Sequence, residues 1–227
     1  MRSLLIDWLV SVHMHFNLKA STLFLAVDLV NQFISARPLL PPSLLQLVGL
    51  TSLHMAAKIE EIYPPPLREL LHTTEDIYSR AEIVRMEGEI GEVVTWKMGG
   101  GREIDFLQLF IMKVGGKGRK MLEGKLFKFA RYIIELALLD EKYLNFPRKV
   151  VALGALYLAG KVIGEEGWNE EIEKEGKVIE DDIRSCAKEL CHTLQRGGGE
   201  EYGSVKRKFG KMEWGCVSKI QFKRKGE

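Results

Sequence analysis

The amino-acid sequence predicts an all-α fold arranged as two tandem five-helix bundles, and three observations carry that prediction. Apolar residues recur at helical spacing along most of the chain, while almost no segment alternates with period two. The stretch Leu50 to Lys58 is matched by Leu153 to Lys161, with leucines, small residues and the closing lysine in register at a spacing of 103 residues. Between the copies stands Gly99-Gly100-Gly101, and three consecutive glycines end a helix and start none. The expected division is therefore 1–99 and 100–227.

The elements follow in order. Leu5, Trp8, Leu9, Val12 and Phe16 form one stripe of a first helix. Ser21 or Thr22 offers a cap for a second, running through Leu23, Val27, Val30 and Ile34 until Pro38, Pro41 and Pro42 stop it. Ser43 offers a cap for a third, Leu44 to Ile59, which is apolar on nearly every side and carries Gly49, Ser52, Ala56 and Ala57. Such a helix belongs at the centre of a bundle, where small residues let neighbouring backbones approach. After Pro64-Pro65-Pro66 come a short helix, Leu67 to His72, and an amphipathic one from Ser79 to about Lys97. In the second half a helix at Ile104 to Met112 precedes a glycine-rich stretch at Gly115 to Gly118, and a long helix spans Met121 to Leu139. That glycine-rich stretch is not a P-loop, because no Ser or Thr follows its lysine at the required spacing and no strand leads into it.

Composition narrows the function. A chain of 227 residues with 46% hydrophobic content can bury two small cores, which agrees with two bundles. The longest apolar stretch, Leu44 to Ala57, is interrupted by polar residues and falls short of a membrane span, so a soluble intracellular chain with no membrane partner is expected. A net charge of +2 argues against a dedicated nucleic-acid binder. The C-terminus is the exception: Lys206, Arg207, Lys208, Lys211, Lys219, Lys223, Arg224 and Lys225 face only Glu213 and Glu227. That tail reads as a nuclear-import signal, a weak phosphate-binding patch or a solvated end. Cys186, Cys191 and Cys216 contain no CxxC pair and read as reduced thiols.

No constellation for catalysis stands out. Glu60 and Glu61 are adjacent and diverge by about 100° on a helix, His13 and His15 diverge likewise, and neither HExxH nor GxSxG occurs. No enzyme activity, metal or cofactor is expected. Lys58 is more informative. It closes an apolar helix, where it either complements the helix dipole or is presented to a partner by the proline-rigid turn that follows, and both readings stand.

Met1-Arg2-Ser3-Leu4-Leu5-Ile6-Asp7-Trp8-Leu9-Val10 resembles the opening helix of the cyclin box of A- and B-type mitotic cyclins. Leu45 to Gly49, then Ala57-Lys58-Ile59-Glu60-Glu61-Ile62-Tyr63-Pro64-Pro65, resembles its third helix and exit turn, and Arg85-Met86-Glu87 its fifth-helix motif. Glu135 to Asp140, Phe146-Pro147 through Leu158-Ala159, and Trp168 resemble the C-terminal cyclin fold. The resemblance runs from Met1 to about Ile220 and implies an N-terminal cyclin box followed by a C-terminal fold with a short basic tail.

It also implies a regulatory subunit that binds and activates a cyclin-dependent kinase in G2/mitotic control, in nucleus and cytoplasm. By position, Lys58 and Glu87 are similar to the charged pair that meets kinase backbone, and Met55, Ile59, Trp96 and Met98 to the apolar floor beside it. Met1, Leu5, Trp8 and Gln46 occupy the positions of a groove for Arg-x-Leu peptides. The alternatives are a non-activating scaffold and a helical module like that of transcription factor B. Several positions depart from the family pattern. Asn31-Gln32 replaces Asp-Arg, Ser11 replaces an acidic residue of the groove, Gly91 replaces a leucine expected on the kinase-facing surface, and Gly99 to Arg102 replaces Pro-Thr between the halves. The match opens at Met1, so the preceding helix and destruction signal of relatives are expected to be missing, and periodic degradation with them.

Overall fold

In the computed structural model, residues 1–95, 99–114, 120–165, 178–196 and 203–220 are described, and they form helices and turns without a strand. They divide into two compact units, Met1–Gly100 and Gly101–Glu227.

The first unit contains α1 (Arg2–His15), α2 (Ala20–Ala36), α3 (Leu45–Glu60), α4 (Leu67–His72) and α5 (Arg80–Val93). Helix α3 holds the centre and packs on α1, α2, α4 and α5. Its continuous buried run from Leu47 to Leu53, with Met55, Ala56 and Ala57, leaves little surface for water, as expected of a helix apolar all round. Gly49 is what lets α1 come so near, since a Cβ there would stand 2.7 Å from Leu5 Cδ1.

The second unit contains α6 (Glu103–Val114), α7 (Lys120–Glu123), α8 (Lys125–Ala137), α9 (Arg148–Ile163), α10 (Glu180–Gln195) and α11 (Ser204–Phe209). Here α9 occupies the centre, packed by α6, α8 and α10. Like α3 it is 16 residues long. The two copies of the repeat thus become the two central helices.

The sequence misplaced two caps and one helix start. Helix α2 begins at Ala20 after Lys19, with no side-chain cap from Ser21 or Thr22. Helix α3 follows a 3-10 turn at Pro42–Leu44, so Ser43 lies inside that turn instead of capping the helix. The helix expected from Met121 is broken at Gly124, which adopts an extended conformation and starts α8. By contrast, the helix expected from Ser79 does start there, with Ser79 as its cap in a capping box with Glu82.

The basic tail is only partly a tail. Lys208 is 3% exposed, and its ammonium donates to both oxygens of the fully buried Glu135 at 2.6 and 2.9 Å. Arg131 donates to the same carboxylate at 2.9 Å and lies over the Trp214 ring, 4.4 Å from its centroid. Burial pulls the Lys208 ammonium down to about 8, against the attraction of Glu135. Lys208 therefore fastens 203–220 to α8, whereas Lys206, Arg207, Lys211 and Lys219 remain exposed. Lys223, Arg224, Lys225 and Trp168 lie outside the described residues.

Candidate functional site

The last turn of α3 carries the residues that the sequence singled out. Lys58 sits there with 40% of its side chain exposed and forms an ion pair with Glu87 of α5, itself 22% exposed. The capping box at Ser79 fixes the start of α5, and Glu87 lies two turns along it. Lys161, the repeat partner of Lys58, instead places its ammonium 5.6 Å from the Tyr157 ring centroid. The two lysines thus hold equivalent places in the repeat and make different contacts. An ion pair reaching across two helices is more than a complement to the dipole of one.

Around this pair the surface is mixed. Ile59 and Val84 are exposed, Val84 being three residues before Glu87 and so on the same side of α5. The exit turn adds Ile62 and Tyr63, also exposed. Met55 is 2% exposed and lies within the core, so it supports the surface from below. Trp96 and Met98 lie outside the described residues. Gly91, expected on the open surface, is buried in α5.

His54 is a member of the site that the sequence reading passed over. It stands one turn before Lys58, half-buried, with Nδ1 buried and without a hydrogen-bond partner among the described residues. Burial first, and then the neighbouring Lys58 charge, push its pKa below the usual histidine value, while Glu87 pulls the other way. The neutral ring therefore prevails at pH 7. Its i, i+4 spacing from Lys58 was the available signal.

A recess of ≈ 370 Å³ opens between α1 and α4, lined by Trp8, Ser11, Val12, His15, Glu69, His72 and Thr73. It shares only Trp8 with the groove residues named from sequence. Met1 is exposed, Leu5 is 7% exposed and fills the space against Gly49, and Gln46 accepts a hydrogen bond from Tyr78 at 3.3 Å. The carboxylate in this recess is Glu69, from the wall opposite Ser11. Spacing within α1 alone could not reveal it. At the departure from Asp-Arg, Asn31 accepts from Arg2 Nε at 2.8 Å, so a hydrogen bond from a guanidinium to a neutral amide oxygen occupies that place. Among the described residues no group of three or more His, Cys, Asp or Glu side chains is placed to hold a metal.

Comparison with known proteins bears on both units. Residues 1–99 match the family model "Cyclin, N-terminal domain" and residues 103–223 match "Cyclin, C-terminal domain". A G2/mitotic-specific cyclin-B of Dictyostelium discoideum is 29% identical over 211 residues, covering 92% of this chain and 47% of that protein. Cyclin-A2 of Gallus gallus is 30% identical over 221 residues, covering 97% and 54%. The chain thus spans about half the length of the curated relatives it matches. The crystal structure of a viral cyclin from herpesvirus saimiri superposes with a TM-score of 0.72 at 17% identity, covering 85% of each chain. At that identity the likeness speaks for the fold.

Proposed function

The chain belongs to the cyclin family, and from that premise we propose that it is a regulatory subunit that binds and activates a cyclin-dependent serine/threonine kinase in G2/mitotic control. The observation that carries the reading is the Lys58–Glu87 pair, partly exposed at the junction of α3 and α5 with Ile59 and Val84 beside it. A lysine only donates and a carboxylate only accepts, so together they match a neighbouring C=O and N–H of another chain's backbone. In the free chain each holds the other in place, which lowers the side-chain entropy lost on docking. The exposed apolar residues supply buried area around that polar centre.

The chain contributes binding energy that favours the active kinase conformation, and the kinase performs the phosphoryl transfer. With this goes an Arg-x-Leu docking role for the α1 surface, supported by the exposed Met1 and the half-buried Trp8. A nuclear and cytoplasmic distribution belongs to the same reading, supported by the exposed Lys206 and Arg207.

The test is co-purification with cyclin-dependent kinases and stimulation of histone phosphorylation. The double variant Lys58→Ala/Glu87→Ala is expected to abolish stimulation while keeping wild-type helicity. Unchanged stimulation would refute the role of the pair, and the absence of kinase binding at micromolar concentration would refute the function.

A further inference from the structure

Helix α2 lacks a side-chain cap of its own, and the last carbonyls of α3 have no partner further along their helix. The structure satisfies both ends with one exchange. The Glu61 carboxylate, just past α3, accepts from the backbone N–H of Lys19 at 2.7 Å and from the Thr22 hydroxyl at 2.5 Å. In return the Lys19 ammonium donates to the Glu60 carbonyl at 2.6 Å and stands 3.9 Å from the second Glu61 oxygen. A negative group thus meets the N-terminus of α2 and a positive one the C-terminus of α3, the favourable sign at each dipole. The Glu61 side chain is 11% exposed, and its backbone N–H still bonds to Ala57 at 3.0 Å.

We propose that this reciprocal cap between Lys19 and Glu61 is the positioning element of the Lys58 site, holding the last turn of α3 in the geometry that a partner reads. Helix ends fray where their terminal groups lack partners, and Lys58 lies in that last turn. Glu87 restrains only the tip of its side chain. The cap restrains the backbone beneath it. Glu61 and Lys19 are positioning residues here, acting through Lys58. The inference rests on the proposed kinase-binding role.

The experiment is a double-mutant cycle in kinase binding between Glu61→Ala and Lys58→Met, with amide hydrogen exchange of each free chain. Glu61→Ala is expected to weaken binding roughly tenfold, the scale on which a helix cap acts, in the presence of Lys58 and less than about twofold in the Lys58→Met background. Exchange is expected to quicken at 57–63 and at the start of α2. Thr22→Ala, which removes one bond of the set, is expected to act in the same direction more weakly. Equal losses in both backgrounds, or unchanged binding with unchanged exchange, would overturn the proposal. Should the wild-type chain bind no kinase, the reading of the site fails, and exchange alone decides the cap: quickening at 57–63 sustains it and unaltered exchange refutes it.

Discussion

Replacing Lys208 by methionine tests whether the C-terminal segment is fastened by a buried charge. The Glu135 carboxylate is fully buried, and the substitution removes the ammonium bonded to both of its oxygens. Removing one partner of such a pair costs about 3–5 kcal/mol, because the other charge is left without water or compensation. Arg131 still reaches Glu135 at 2.9 Å, which places the expected loss near the lower end, about 3 kcal/mol.

The second arm replaces both charges, Lys208→Met with Glu135→Leu. Burial outweighs attraction in setting the Lys208 pKa at about 8, so the double variant is expected to recover part of the loss, short of wild type because Arg131, whose side chain is 13% exposed, then lacks the Glu135 carboxylate. Urea unfolding followed by circular dichroism measures both. The pH dependence has a definite sign. Between about 8 and 10.5 the unfolded chain binds the Lys208 proton and the folded chain does not, so the advantage of wild type over Lys208→Met grows with pH across that window. A single-variant loss below about 1 kcal/mol would show that the pair is solvated.

Three further perturbations probe the first unit. Asn31→Asp turns the hydrogen bond from the Arg2 guanidinium into an ion pair and is expected to stabilise by about 0.5–1 kcal/mol, read as a higher thermal midpoint; a lower midpoint contradicts it. Gly49→Ala drives a methyl to 2.7 Å from Leu5 Cδ1 and is expected to cost about 1–3 kcal/mol, partly restored by Leu5→Val; tolerance without loss would mean that α1 does not seat there. His54 has a folded pKa below 6.5, so its contribution to stability is present above that value and is lost as pH falls through the folded pKa. The stability difference between wild type and His54→Gln is therefore expected to narrow between pH 7 and 5, and a constant difference contradicts the burial of the ring.

The fold was legible because it is written in patterns local to each helix. Stripes at helical spacing gave α1 and α5, apolar residues on nearly every side gave α3 as a central helix, and the internal repeat pointed to α9 as its counterpart. Caps were less legible, since a serine or threonine shows a capacity and not the backbone conformation that uses it. Ser79 had Glu82 three residues on and capped its helix, whereas Ser43 preceded a 3-10 turn. Lys208 looked like part of a solvated tail because its partner stands 73 residues earlier. Met55 shared the helix with Lys58, and only packing in three dimensions shows it to be core.

The site illustrates the same divide more sharply. Lys58 and Glu87 could be named from motifs, yet what fixes them is spread over three helix ends that no window of sequence contains. Glu61 reaches back 42 residues to the start of α2, and α2 carried no satisfactory cap within its own stretch. An uncapped helix in a packed bundle implies a donor or acceptor arriving from elsewhere, because terminal backbone groups shielded from water are costly to leave unpaired. The failed cap at Ser21 and Thr22 was therefore itself a signal. It pointed to a carboxylate close in space, and of the two that end α3 it is Glu61 whose side chain occupies that place. Residues that touch a partner can be found by likeness to other proteins. Those that hold the contacting residues still are found by asking which local requirement the neighbouring sequence leaves unmet.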